Sequence, residues 1–396
     1  GALDTSSVDD LAARLGVGER HLRRLFLEHV GVGPKAVAQT RRVLFAKKLV
    51  NETALPLTDI ALAAGFGSIR RFNSTFQKIY ARPPRELRRM NEDRDGSDDA
   101  GLTLKLAVRP PYDWPRLIGF LQTRAIPGVE SVSDNSYRRT IAIEKQQGIL
   151  EVQHAAEGDH LKVTVSLADT SNLQTVIERS RRLFDLDADS VAINAHLCRD
   201  PLLAKSIKTR PGLRIPGAWE AFEIAVRAVL GQQISVAAAR TFASRLATAY
   251  GAPIKNPNGS ELSHLFPTPE ALAEADLSNI GLTKRRTQTL RGLSRAFADD
   301  DLGLDVSSGL EDAQARLTAL PGIGPWTAQY IAMRALGEPD AFPTGDLGLL
   351  NACKALGLEM SARELDERAE NWRPWRAYAA MHLWAMLPSP KRKSKP

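Results

Sequence analysis

Residues 91–99 read Asn-Glu-Asp-Arg-Asp-Gly-Ser-Asp-Asp, and not one of these side chains is apolar. A segment with nothing to bury cannot offset the entropy of ordering its own backbone. It reads as a linker, and no single core can run through it. Length points the same way, because 396 residues exceed what one ordinary core organises. Hydrophobic residues at 43% and charged residues at 25% fit packed domains, not a fibrous or disordered chain.

The hydrophobic period changes across this seam. Ahead of it the pattern is helical. Behind it, residues 102–108, 140–143, 149–152 and 161–165 alternate as half-buried strands do, with a helix expected near 114–125. From about residue 170 the period is helical again, and Pro211, Pro216, Pro267, Pro269 and Pro321 separate the helices. The predicted architecture is mainly α with a small α+β subdomain. It places two helix-turn-helix units in 1–90, a linker at 91–100, an antiparallel sheet plus helix in 101–185, an all-α region over 186–387 and a basic tail at 388–396.

Charge divides at the same seam. Residues 1–90 hold 16 Lys/Arg against 8 Asp/Glu, a net +8, while the rest hold 37 against 38, a net −1. The positive field that attracts a polyanion therefore belongs to the first ninety residues. Within them, 8–15 and 19–29 form two helices about Gly16-Val17-Gly18, and the second bears Arg20, His21, Arg23 and Arg24. The pattern recurs about fifty residues later, with 57–64, a Gly65-Phe66-Gly67 turn, and 68–80 carrying Arg70, Arg71, Asn73 and Lys78. A helix over about 35–50 connects the units. Glycine permits the tight corner, and the second helix of each unit is the one that enters a major groove. Ala64-Gly65-Phe66-Gly67 followed by Phe72 and Phe76 resembles the AraC-type DNA-binding domain, in particular that of Ada-type alkylation-response proteins. The resemblance implies that Arg20, Arg23, Arg24, Arg70, Arg71 and Asn73 contact DNA.

In the C-terminal half, Leu320-Pro321-Gly322-Ile323-Gly324-Pro325-Trp326-Thr327-Ala328 joins two helical segments through a hairpin. Its glycines allow close backbone approach, and amides at the start of a helix bind phosphate without side-chain charge. Asp346 follows Trp326 by twenty residues, in Phe342-Pro343-Thr344-Gly345-Asp346. By position alone Asp346 serves equally as a carboxylate for chemistry or as the N-cap of the segment after it. Trp326, Tyr330 and Trp384 read alone as core aromatics.

Together the hairpin and the aspartate resemble the helix-hairpin-helix DNA glycosylase superfamily. Tyr112-Asp113-Trp114, 181–186, 211–217, 228–236 and 372–378 resemble segments of AlkA-type 3-methyladenine DNA glycosylases, in order, over about 102–387. The resemblance implies hydrolysis of the N-glycosidic bond of alkylated purines such as 3-methyladenine and 7-methylguanine. Asp346 would be the catalytic carboxylate. Trp326, Tyr330 and Trp384 would wall the base pocket, where electron-rich faces favour a cationic base by roughly 0.5–2 kcal/mol. Gln232 and Gln233 would be the wedge that fills the gap left by the flipped base. Gly322, Gly324 and Thr327 would offer backbone groups to phosphate. Carbonyls of Thr318, Leu320 and Gly322 would hold a structural Na+ or K+, with no cofactor required. Trp326 stands where strand-cutting relatives carry a Schiff-base lysine, so a monofunctional hydrolase is expected. Gly345 and Leu347 depart from acidic and tyrosine residues found in relatives.

The implied partner is double-stranded DNA with alkylated bases, with no membrane and no obligate protein partner. The alternative is a transcription regulator of the alkylation response whose glycosylase half only binds damaged DNA. No run approaches eighteen uncharged apolar residues, and the first residues lack the pattern of a secretory signal. A cytoplasmic, nucleoid-associated bacterial protein is the expectation. Two cysteines, Cys198 and Cys353, exclude a disulfide scaffold, an all-cysteine zinc site and a four-cysteine iron–sulfur cluster. His154, His160, His196, His264 and His382 lack paired metal spacing and read as surface or packing histidines. Residues 280–286 read equally as DNA-proximal or as a solvated helix turn.

Overall fold

A computed structural model describes residues 3, 7–89, 101–155, 159–254, 261–304 and 309–387, so the expected linker at 91–100 and tail at 388–396 lie outside the described residues. The chain is mainly helical, with one five-stranded antiparallel sheet in its middle. Two compact units result, one of residues 1–106, 142–151 and 162–178, the other of 107–141, 152–161 and 179–396.

In the first unit, Ser7 and Asp10 cap helix α1 (Val8–Arg14) reciprocally, each bonding the other's backbone N–H. Gly16, at φ 65°, turns the chain into α2 (Glu19–Val30), and Val8, Leu11, Ala12 and Leu22 close a small core. The long α3 (Pro34–Glu52) leads to α4 (Leu57–Ala63), Gly65 at φ 72°, and α5 (Ile69–Tyr80). Ser68 caps α5 by accepting the Arg71 N–H at 3.2 Å. Phe72 and Phe76 are fully buried with ring centroids 4.7 Å apart, and Phe66 meets Phe72 edge-on at 5.3 Å. This apolar stripe turns the opposite face of α5 outward. Helix α6 (Pro84–Arg89) completes the module. In the same unit the Glu52 carboxylate accepts the Lys105 N–H at 2.9 Å, which ties α3 directly to the first strand.

The strands are β1 (Leu102–Ala107), β2 (Glu130–Val132), β3 (Ser136–Ile143), β4 (Gln146–His154) and β5 (His160–Ser166), in the order β1-β5-β4-β3-β2. Helix α7 (Trp114–Arg124) follows β1. The four strands expected from alternation are present, and β3 and β4 are longer than the sequence pattern suggested. Strand β2 was not expected. It has three residues and begins with a buried charge, so it shows no apolar alternation; it pairs antiparallel with β3, Glu130 opposite Arg139.

The remaining helices are α8 (Leu173–Leu183), α9 (Ser190–Leu197), α10 (Pro201–Thr209), α11 (Ala221–Gly231), α12 (Val236–Tyr250), α13 (Pro269–Ala273), α14 (Lys284–Ala298), α15 (Leu310–Thr318), α16 (Pro325–Ile331), α17 (Leu347–Ala355), α18 (Ala362–Ala369) and α19 (Arg376–Met386). Among the described residues no helix is long and apolar enough to cross a membrane.

In the second unit a buried charge network anchors α11. Glu223 accepts from Arg139 at 2.6 Å and from Arg227, Arg227 also donates to Glu130, and Glu130 accepts the Tyr137 hydroxyl at 2.6 Å. Burial alone would raise the Glu223 carboxyl, but the Arg139 and Arg227 guanidiniums hold it down at about 2. Both faces of α11 are then enclosed by apolar packing that includes Phe222, Val226, Val229, Leu290 and Ala328.

His382 reads from the sequence as a surface or packing residue; it is 2% exposed, with its ring Nδ1 3.1 Å from the Ser206 hydroxyl. Burial, with Arg210 adding, depresses it to about 4. The unfolded chain, near 6.5, therefore takes up the proton first. The stability contributed by neutral His382 is complete above about pH 6.5 and is lost as pH falls toward 4, by about 3 kcal/mol. Asp185, raised to about 6 by burial, contributes in the opposite sense, its effect growing as pH falls through 6. Bulk acid sensitivity therefore blends the two. The expected outcome is that the difference in urea-unfolding free energy between wild type and His382→Asn shrinks steadily from pH 7 to pH 4. A difference independent of pH would show that His382 titrates normally in the folded state.

Candidate active site

Helices α15 and α16 are joined by the hairpin, and its two glycines differ in their reason. Gly322 has φ 90°, and a Cβ there would lie 2.0 Å from the Thr289 hydroxyl on α14. No side chain fits. Gly324 is extended backbone at the N-cap of α16, with open space where a Cβ would be. Pro325 has no N–H to lose at the first helical position, so the Trp326 and Thr327 amides begin the run of donors without intrahelical partners.

Of the two roles that the sequence left open for Asp346, the helix cap is visible directly, and the carboxylate is also held from two further sides. Its Oδ1 accepts the Leu349 N–H at 2.9 Å, which caps α17, and the same oxygen accepts the Trp384 indole N–H at 2.9 Å. Its Oδ2 accepts the Trp326 indole N–H at 2.9 Å. These three donors occupy three of the roughly four lone-pair sites of a carboxylate and leave one. Side chains from α16 and α19 thereby fix the orientation of a half-buried acid on α17.

The aromatic residues gather around it. The Trp326 and Tyr330 rings stack with centroids 5.3 Å apart at 10°, and Tyr330 meets Trp384 edge-on at 6.5 Å. Behind Tyr330 the buried Arg334 donates to its hydroxyl at 3.0 Å and to the Pro216 and Gly217 carbonyls at 2.7 and 3.1 Å. Burial pushes the Tyr330 phenol up, and the Arg334 and Arg124 guanidiniums more than offset this, holding it below its ordinary value. The segment carrying Asp346 is pinned as well: Gln329 accepts the Phe342 N–H at 3.0 Å, and Thr344 donates to Asp366 at 2.8 Å.

Gln232 and Gln233 diverge. The Gln232 amide donates to the Gly322 carbonyl and to the Thr327 hydroxyl, each at 3.0 Å, so this side chain is committed to the hairpin and does not stand out as a wedge. The reason is location: Gln232 is the C-cap of α11, half-buried against the hairpin. Gln233 is exposed and left-handed, with φ 58°, a conformation that costs an L-residue on the order of 1–2 kcal/mol. Of the carbonyls expected to face a cation, that of Leu320 accepts the Ile323 N–H at 3.1 Å and that of Gly322 takes the Gln232 amide, leaving each a second lone pair. Arg20, Arg23, Arg24, Arg70, Arg71 and Asn73 are all exposed on α2 and α5, with Arg23 paired to Glu19 and Arg24 to the His21 ring.

Sequence reasoning missed Arg334 and Gly348. The signal for Arg334 was its spacing of four from Tyr330 on one helical turn. The signal for Gly348 was a glycine in the first turn of a helix, where alanine is favoured by about 1 kcal/mol. A Cβ at position 348 would lie 2.8 Å from Asp346 Oδ1 and 3.2 Å from the Trp384 ring, so glycine lets the indole reach the carboxylate. Gly348→Ala is expected to displace Trp384 and to lower turnover about 10–100-fold with little loss of stability. Unchanged turnover, measured beside a thermal melt, would show that the Trp384 contact is dispensable.

Three family models match the chain: "Helix-turn-helix domain" over residues 11–90, "AlkA N-terminal domain" over 103–220, and "HhH-GPD superfamily base excision DNA repair protein" over 226–377. A Mycobacterium tuberculosis protein named "Probable bifunctional transcriptional activator/DNA repair enzyme AlkA" is 43% identical across all of this chain and 80% of its own length. The Escherichia coli DNA-3-methyladenine glycosylase 2 is 34% identical over 70% of this chain and 94% of its own. A 3-methyladenine DNA glycosylase structure from Archaeoglobus fulgidus superposes with a TM-score of 0.62 at 22% identity, covering 71% of this chain and 97% of that one, and shares the fold. On this evidence the chain belongs to the AlkA family of DNA glycosylases, in the form that carries a helix-turn-helix module ahead of the helix-hairpin-helix glycosylase.

Proposed function

We propose that this glycosylase hydrolyses the N-glycosidic bond of alkylated purines such as 3-methyladenine and 7-methylguanine in duplex DNA, without cutting the strand. The observation that carries the reading is the Asp346 carboxylate, oriented by two indole N–H groups beside a stacked Trp326–Tyr330 pair. As the base departs, positive charge grows on the sugar, and a fixed carboxylate stabilises it and orients the attacking water. A purine alkylated at N3 or N7 is already cationic. It is drawn to the aromatic faces and leaves readily, so no strong general acid is required.

The hairpin amides would hold a phosphate and Gln233 would enter the stack in place of the flipped base. A Na+ or K+ held by the Thr318, Leu320 and Gly322 carbonyls would reinforce phosphate binding there, and the second lone pairs of Leu320 and Gly322 suit an ion of single charge. The helix-turn-helix module, with its excess of positive charge, would anchor the enzyme on DNA and read an operator; the name of the mycobacterial relative supports a dual role. A regulator that binds damage without cleaving it would instead release no base.

Asparagine caps a helix as well as aspartate does, so Asp346→Asn removes the charge and keeps the cap. Base release from methylated duplex is expected to fall roughly 100- to 1000-fold, with duplex affinity largely intact. Wild-type turnover in this variant would reduce Asp346 to a cap. Hydrolysis by water further implies product DNA with intact abasic sites, cut only after alkali. Borohydride trapping of a covalent enzyme–DNA adduct would refute that part.

A further inference from the structure

We infer that Arg286 and Gln232 are positioning residues that hold the Gln233 loop in its inserting conformation and link that conformation to the hairpin. The inference deepens the base-flipping reading and rests on it. Three elements converge on residue 232. From α14, Arg286 donates to the Gln232 carbonyl at 2.6 Å. From the hairpin, the Gly322 carbonyl and the Thr327 hydroxyl accept the Gln232 amide, each at 3.0 Å. Helix α14 is also seated on the hairpin, since the Thr289 hydroxyl stands 2.0 Å from where a Cβ on residue 322 would be. Carbonyl and side chain of Gln232 are thus both committed, one to each neighbour.

The next residue is Gln233, exposed and left-handed at φ 58°. A non-glycine residue keeps such a conformation only where its surroundings over-determine it. The doubly anchored Gln232 supplies that constraint at the adjoining peptide. Hairpin amides and the Gln233 side chain then share one support, so a duplex whose phosphate is held by the hairpin meets Gln233 already in register. Arg286 acts through Gln232 and not on the reacting atoms. Its charge matters less than a donor at the right place, and lysine can supply that donor.

The full-length chain is compared with Arg286→Ala, Arg286→Lys, Gln232→Ala and Arg295→Ala, the last on the same helix as Arg286 and altering an exposed pair with Glu274 at the end of α13. Two quantities are read at saturating protein: single-turnover base release from methylated duplex, and the brightening of 2-aminopurine placed beside the target base, which reports loss of stacking. Arg286→Ala is expected to lower base release by roughly 10–100-fold and to lose most of the brightening. Its affinity for undamaged duplex should change less than about threefold, because phosphate contacts set that affinity. Arg286→Lys should recover most of both, Gln232→Ala should lose brightening in the same direction, and Arg295→Ala should match wild type. The inference is overturned by wild-type brightening in Arg286→Ala, by an equal loss of affinity for undamaged duplex, or by Arg286→Lys being no better than alanine. Should Arg286→Ala fail to fold, wild-type brightening in Gln232→Ala overturns it. If wild type releases no base while brightening still depends on Arg286, the hydrolase reading fails and the positioning role stands.

Discussion

Burying two carboxylates and two guanidiniums together is costly, and separating them once buried is costlier, about 3–5 kcal/mol for the loss of one partner. The network of Glu130, Arg139, Glu223 and Arg227 therefore fixes α11 against β2 and β3 in one register. Apolar packing alone would not, because α11 is apolar on almost every side and could slide or rotate at small cost. The far end of α11 is Gly231, and Gln232 follows it directly. Register set at the sheet is thus delivered, along about two turns of helix, to the loop that contacts the hairpin.

A second economy lies at Asp346. Capping a helix and stabilising a cationic sugar ask for the same thing, a carboxylate held still beside backbone N–H donors. Here one oxygen carries the cap and an indole, and the other carries an indole and keeps a free lone pair. The acid is oriented by the same two indoles that the proposed function makes walls of the base pocket. A shift in either tryptophan is therefore a shift in the carboxylate too, so under the proposed function base recognition and catalysis would be mechanically inseparable.

The period of the hydrophobic pattern made both helix-turn-helix units legible, and four of the five strands, because each buries one continuous stripe. Strand β2 was illegible since its role is to place Glu130, and a buried ion pair leaves no apolar signature. The grouping of Asp346 with Trp326 and Tyr330 was legible through a spacing that the hairpin motif fixes, and that of Trp384 only through the family resemblance. What that spacing could not convey was the third dimension: that Gln232 turns inward while Gln233 turns outward, and that Gly348 is empty space for a ring 36 residues away. Such demands arise from partners distant in sequence, and only the folded arrangement brings them together.

Two of the six tryptophans, Trp326 and Trp384, end their indole N–H groups on the same carboxylate. Indole emission responds to what its N–H is bonded to and to stacking on its face. Under the proposed function, a base stacking on these rings would change both at once. The proposed pocket therefore carries an intrinsic optical gauge of its own occupancy, readable without any label.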